Sequence, residues 1–214
     1  MSDAETVELR AVAGAERAAA CRLVFDPPGP ELAAIAGSEG RARAFGEGLV
    51  ALGVVPGPGR EVFAAYASGR AVGVLVVETV GREGASTRDG FVRAVPLAIR
   101  TFPLAWLPRL AFRGYLRSRL DFPLPAGALH VVELHVAPER RGRGIGGRLL
   151  EHAEACARER GATALVLTTM ATNPARRLYE RHGYRVTAER SVRGYRAITG
   201  SPGRVRMEKA LARG

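Results

Sequence analysis

The chain has 214 residues and a mass of 22.8 kDa, a length that fits one large domain or one domain with an insertion. Hydrophobic residues make up 47% and charged residues 25%, which excludes a wholly disordered chain, and no apolar run is long enough to cross a bilayer. The net charge of +11 raises an anionic ligand or nucleic acid as partner, but Lys209 is the only lysine among 32 basic residues, and the arginines are spread along the chain. Such a skew follows GC-rich codon usage better than it follows a nucleic-acid site, so nucleic acid is not the expected partner.

Met1 to Arg10 carries Asp3, Glu5 and Glu8 and lacks the basic start and apolar stretch of a signal peptide, which makes the cytoplasm the default location. Thr6 to Arg10 suits a first strand. Ala13 to Phe25 reads as a helix closed by Asp26-Pro27-Pro28-Gly29-Pro30. Leu32 to Leu52 suits a second helix weakened by Gly37, Gly40, Gly46 and Gly48. Val62 to Ala67, Ser68-Gly69-Arg70 and Ala71 to Val80 read as a hairpin, and its nearly all-apolar second arm predicts a central strand. Gly81 to Gly127 is irregular and rich in Pro and Arg. Leu104, Leu107, Leu110 and Ala111 keep helical spacing, with Arg109, Arg113 and Arg117 off that stripe, so one or two short helices are expected. This segment reads as an insertion: a lid over a substrate groove or a cap on a sheet edge, ahead of a surface for a membrane or partner.

From His130 onward the pattern sharpens. His130 to Val136 is a strand stopped by Ala137-Pro138. A loop from Arg140 to Gly147 leads into a helix ending at Arg160 with Gly161 as its cap. Cys156 keeps helical spacing with Ile145, Leu149 and Ala153 and reads as core. With Cys21 it forms no CxxC pair, and His130, His135, His152 and His182 show no HExxH spacing, so neither a disulfide framework nor a metal site is expected. Ala164 to Met170 is a second apolar strand. Asn173-Pro174 reads as the N-cap and first turn of a helix that ends at Gly183. Tyr184 to Arg190 and Val205 to Lys209 close the chain as strands. The order of elements predicts a mixed α/β sheet.

The loop Arg140-Arg141-Gly142-Arg143-Gly144-Ile145-Gly146-Gly147 carries the chemistry. Its glycines let backbone N–H groups converge at the start of a helix, and Arg140, Arg141 and Arg143 add mobile positive charge, a combination suited to a pyrophosphate. It is not a GxxxxGK[ST] nucleotide loop. Gly142, Gly144 and Gly147 match GxGxxG, but Pro138 to Arg141 separate them from the strand and Thr168-Thr169-Met170-Ala171 supplies no acid for a ribose, so a dinucleotide such as NAD does not fit.

In another register, Arg141-x-x-Gly144-x-Gly146 resembles the acyl-CoA signature [QR]-x-x-G-x-[GA] of the GNAT superfamily of N-acyltransferases. Asn173 to Tyr184 resembles the family's N-x-x-A-x-x-L-Y-x-x-x-G-[FY], with Asn173 six residues before Tyr179, one fewer than the commonest spacing. Arg206 to Leu211 resembles its last strand. The resemblance implies an α/β fold with a mixed, mostly antiparallel central sheet flanked by helices and a helical insertion before the central strand. It implies one domain over residues 1–214, with an insertion at about 81–127 and a cofactor-binding core at about 130–190. It also implies an N-acetyltransferase that moves an acetyl group from acetyl-CoA, its co-substrate, to a primary amine by direct attack in a ternary complex. A non-catalytic acyl-CoA-binding module is the alternative. A homodimer is one assembly the family allows.

By the same resemblance Tyr179 is the general acid for the CoA thiolate. The backbone of Leu134, His135 and Val136 pairs with the pantetheine arm, with the Val136 N–H facing the thioester carbonyl. Arg141, Gly142, Arg143, Gly144, Ile145 and Gly146 hold the pyrophosphate, and Asn173 touches the pantetheine. The general base falls to Glu133, an acid within an apolar strand whose side chain shares a strand face with that of His135. A salt bridge to an arginine is the other role open to Glu133.

Overall fold

A computed structural model of the chain describes residues 7–81 and 87–211. Thr6 and residues 82–86 of the insertion lie outside them. The core is one seven-stranded sheet. Its strands are β1 (Glu8–Ala11), β2 (Glu61–Ala67), β3 (Arg70–Thr79), β4 (Leu129–Val136), β5 (Ala164–Met170), β6 (Arg185–Ser191) and β7 (Gly203–Ala210). They lie in the order β1-β2-β3-β4-β5-β7-β6, and only the β4–β5 pair is parallel. The mixed, mostly antiparallel sheet is the expected one. Helices cover both faces: α1 (Gly14–Arg22), α2 (Pro30–Ala36), α3 (Glu39–Ala51), α4 (Thr87–Thr101), α5 (Leu107–Ser118), α6 (Ile145–Glu159), α7 (Arg176–Arg181) and α8 (Tyr195–Thr199).

Strand β3 is apolar from Val72 to Val77 because both its faces are buried there. Leu75 and Val77 join the core under α6, whereas Val74 and Val76 join the core under α1 and α3. Helix α6 buries Ile145, Leu149, Leu150, Ala153, Cys156 and Ala157 as one stripe, so Cys156 is the core residue its spacing predicts. Full burial of a Leu or Ile side chain contributes about 1.5–3 kcal/mol, which pins the helix, and with it the loop at its start, to the sheet.

Three boundaries differ from expectation. Helix α1 ends at Arg22, not Phe25, because the N–H groups of Leu23, Val24 and Phe25 bond three residues back and tighten the chain ahead of Pro27-Pro28. The long Leu32–Leu52 helix is two helices: Gly37 ends α2 in the left-handed region (φ +81°), and the Ser38 hydroxyl accepts the Arg41 N–H at 3.3 Å to start α3. The third helix of the core, α7, starts at Arg176. Asn173 does not cap it; its Oδ1 instead accepts the Ala175 N–H at 2.9 Å in a turn that precedes the helix.

The insertion holds two helices of 15 and 12 residues instead of short ones, and they pack on α2, α3 and α8. Trp106 lies against Gly37, where a Cβ would stand 2.2 Å from its ring. Arg113 and Arg117, placed off the apolar stripe by the sequence, turn inward. The Arg113 guanidinium donates to the Ala34 carbonyl at 2.7 Å and stacks 5.0 Å from the Trp106 ring centre, and Arg117 pairs with Glu31 at 3.0 Å. Leu104, placed on the stripe, is instead 79% exposed.

Candidate active site

The site begins where two parallel strands part. Leu129, His130 and Val131 of β4 face Leu165, Val166 and Leu167 of β5, and no pairing continues beyond them. From Val132 to Val136, β4 keeps β3 on one side and leaves its other edge open. The Ala137 N–H donates to Val72 O at 2.9 Å, which fixes the alternation: Ala137, His135 and Glu133 turn their backbone to β3, and Leu134 and Val136 turn theirs into the gap. Of the three residues expected to offer backbone to a ligand, Leu134 and Val136 do so. His135 lies opposite Val74 with its backbone toward β3.

A bulge aims the side chains. The β3–β4 register shifts between Val76 and Val77, where Glu133 and Val131 are the respective partners and Val132 is the extra residue. Before the bulge, Leu129 and Val131 face the α6 core; after it, Leu134 and Val136 do. Glu133 and His135 therefore share the opposite face, as expected.

Glu133 is open to solvent through the cleft yet surrounded by protein. Burial among that protein pushes its carboxyl up to about 7, against the pull of the Arg204, Arg60 and Arg117 guanidinium groups, with Glu31 adding to the rise. His135 is held neutral: burial, and then Arg141, push its imidazole down to about 4. Its Nε2 is buried with no partner among the described residues. Tyr179, buried on α7, is pushed up to about 12 by burial and then by Glu133, so its phenol keeps its proton. Its ring leans on Tyr184, 6.1 Å between centres.

The loop lies at the open end of the gap. Gly142 (φ +75°) and Gly144 (φ +79°) occupy the left-handed region, where L side chains are strained, and a Cβ on either would meet nothing within 4 Å. Gly146 and Gly147 serve close packing instead: a Cβ at Gly146 would stand 2.9 Å from Leu178, and one at Gly147 would stand 3.1 Å from His182. Gly144 precedes α6 and no side chain caps that helix, so its first N–H groups point at the empty side of the loop. Arg141 is not the mobile charge the sequence suggests. Its Nε donates to Val136 O at 3.0 Å and ties the loop to the end of β4. Open space over αL glycines, uncapped N–H groups and fixed positive charge suit a pyrophosphate. Asn173 is held within its turn, with Nδ2 donating to Thr169 Oγ1 at 2.6 Å.

One group of site residues gives no sequence signal. Glu31 of α2 accepts the Tyr195 hydroxyl and pairs with Arg117 and Arg204. Arg204, 8% exposed on β7, also donates to Thr168 Oγ1 at 3.0 Å. The four come from widely separated elements. Glu31 and Arg117 also line an open cavity of ≈370 Å³ with Leu32, Ile35, Ser118 and Asp121. The insertion thus lines this cavity, and it also reaches the edge strand β6 and its neighbour β7, where the Asp121 and Pro123 carbonyls accept from Arg190 and Arg206. Among the described residues no three His, Cys, Asp or Glu side chains gather as for a metal ion, and no helix is long and apolar enough to cross a membrane.

Residues 111–186 match the acetyltransferase (GNAT) domain family. No curated protein matches the chain in sequence. Solved structures share the fold. A GNAT-family protein from Desulfovibrio desulfuricans is 17% identical with a TM-score of 0.56, covering 97% of this chain and 100% of its own. The ribosomal-protein-S18-alanine N-acetyltransferase from Escherichia coli is 14% identical with a TM-score of 0.57, covering 98% and 96%. A GNAT family acetyltransferase from Elizabethkingia anophelis, with acetyl-CoA bound, is 14% identical with a TM-score of 0.54, covering 97% and 99%.

Proposed function

We propose that the chain is an acetyltransferase of the GNAT type, a reading supported by the match of residues 111–186, and that it transfers an acetyl group from acetyl-CoA to a primary amine by direct attack in a ternary complex. The observation that carries this reading is the gap between β4 and β5, which bares the backbone of Leu134 and Val136 between the glycine loop and Glu133. In this reading the loop from Arg141 to Gly146 binds the pyrophosphate, the Leu134 backbone pairs with the pantetheine arm, and acetyl-CoA supplies the activated thioester.

An alkylamine acceptor arrives largely protonated, since such groups have a pKa near 10.4. Glu133, with its carboxyl at about 7, takes the amine proton, directly or through a water. The freed nitrogen attacks the thioester carbon. The Val136 N–H donates to the oxygen as charge develops there. As the C–N bond forms and the C–S bond breaks, the nitrogen releases its remaining extra proton to solvent, and the Tyr179 hydroxyl gives its own to the departing sulfur and is reprotonated from solvent. A phenol held at about 12 does not ionise at rest, so its proton is in place when the thiolate develops. Asn173 shapes the turn that leads into the Tyr179 helix.

The test is a continuous assay of CoA thiol release from acetyl-CoA across a panel of small amines, amino acids and peptides. At least one amine should give turnover well above hydrolysis, and Tyr179→Phe should lower kcat by ~10²–10⁴-fold with little change in acetyl-CoA affinity. An unchanged kcat in Tyr179→Phe would remove that residue from the mechanism. Acetyl-CoA binding without turnover on any amine would favour the non-catalytic module.

A further inference from the structure

Among the described residues, seven large hydrophobic side chains are exposed, and six of them, all but Leu52, fall between residues 92 and 115 of the insertion. On α4, Val92, Val95 and Ile99 are 64%, 41% and 56% exposed and recur at three and four residues, which places them within about 60° of one another on the helix. Leu104 projects from the connection to α5. On α5, Phe112 and Tyr115, three apart, are 58% and 57% exposed. Other sides of the two helices are packed: Ala98 of α4 and Leu107 and Leu110 of α5 join Phe102 and Trp106 in the small core against α2 and α3. Among the described residues the outward side chains are therefore left without a covering element.

Charge identifies the occupant. From residue 92 to residue 120 there are six arginines and no Asp or Glu. Arg93 and Arg100 follow Val92 and Ile99 directly, so each lies about 100° round the helix from an apolar neighbour and flanks the stripe. Arg109 and Arg119 are exposed and sit three residues before Phe112 and four after Tyr115, in line with them. Apolar side chains to enter a hydrocarbon boundary, flanked by long cationic ones that can reach phosphates above it, are the makeup of a helix lying in a membrane interface. A protein partner would require acidic residues of its own around an apolar groove. A second copy of this basic face would bring like charges together without compensation.

We propose that the exposed sides of α4, the Leu104 turn and α5 make up one face that docks on the surface of an anionic phospholipid bilayer, with Val92, Val95, Ile99 and Phe112 entering the interface and Arg93, Arg100, Arg109 and Arg119 engaging the headgroup phosphates. The same insertion lines the cavity at Glu31 and Arg117, so docking would hold that cavity near the membrane surface. The inference is independent of acetyl transfer and does not rest on it.

The test is co-sedimentation of the full chain with vesicles of phosphatidylcholine alone and of phosphatidylcholine with phosphatidylglycerol, at low and physiological salt, with sedimentation of the protein alone to give its oligomeric state. The expected result is binding to the anionic vesicles at least tenfold tighter than to the neutral ones, weakened by salt. Ile99→Asp with Phe112→Asp, and separately Arg93→Glu with Arg100→Glu, should each weaken that binding at least tenfold while leaving acetyl-CoA binding and Tm intact, since all four side chains are exposed. Equal binding to neutral and anionic vesicles, none to either, or binding untouched by both pairs of substitutions would overturn the proposal. So would a dimer that Ile99→Asp with Phe112→Asp converts to monomer, because the face would then be an interface between copies.

Discussion

Glu133 and Tyr179 are two acids whose surroundings push them toward different tasks. Burial raises both, but Glu133 comes to about 7, where it can take and release a proton near neutrality, and Tyr179 to about 12, where it only donates. Glu133→Gln should lower kcat by ~10²–10⁴-fold and abolish the rise in rate through pH 7; a profile that overlays the wild type would show that another group is the base. The same shift bears on stability. A carboxyl raised in the folded state binds its proton more tightly there than when unfolded. It therefore favours folding below the ordinary carboxylate range, and that advantage is lost as pH climbs through about 7. Glu133→Gln should exceed wild-type Tm at pH 8, and the gap should close as the pH is lowered toward 5, where wild-type Glu133 is protonated in the fold. A Tm difference independent of pH would contradict the shift. Glu133 was legible in the sequence as an acid in an apolar strand, but its neighbours Glu31 and Arg204 were not, because a single Glu after Pro30 and one Arg among many carry no pattern.

At the scale of elements, the glycines divide by role. Gly144 meets open space but sits at φ +79°, so Gly144→Val should strain the loop and crowd its open side, weakening acetyl-CoA binding roughly tenfold, a loss of about 1.4 kcal/mol; titration calorimetry on both proteins checks it. Gly46 is the reverse. In the sequence it weakens a helix; in the fold a Cβ there would come within 2.1 Å of the Phe25 ring, so it lets α3 approach that ring. Gly46→Ala should therefore destabilise by about 1–3 kcal/mol through overpacking, in spite of the better helix propensity of Ala, and a gain in denaturation midpoint would refute the contact. The strands β2, β3 and β5 were legible because burial writes long apolar runs. The break at Gly37 was not placed, since four glycines in one segment left several positions open for it. Nor was the Asn173 turn, whose Asn-Pro pair is equally a helix-start signal. The bulge at Val132 leaves no mark in sequence because both of its outcomes use apolar residues.

Across the whole molecule, Glu31 joins what the chain order keeps apart. Through Arg117, Tyr195 and Arg204 it ties α2 to the insertion, to α8 and to β7 on the far side of the gap. Glu31→Ala should leave Arg204 nearly buried without its carboxylate and cost about 3–5 kcal/mol, measurable by denaturant unfolding; a loss under about 1 kcal/mol would mean that the cluster is incidental. The glycine-loop half of this assembly, from His130 to Tyr184, was readable from two motifs in order. The acceptor half was not, because it is built from contacts between distant segments that no spacing records. The most direct measurement is thermal unfolding of the protein with acetyl-CoA, CoA and NAD side by side. A ligand that binds only the folded state adds RT ln(1 + [L]/Kd), about 2.7 kcal/mol at a hundredfold excess over Kd. Stabilisation by acetyl-CoA and CoA but not by NAD, lost in Gly144→Val, is the predicted result. No shift with either CoA species would contradict the assignment of the split strands and glycine loop as an acyl-CoA site.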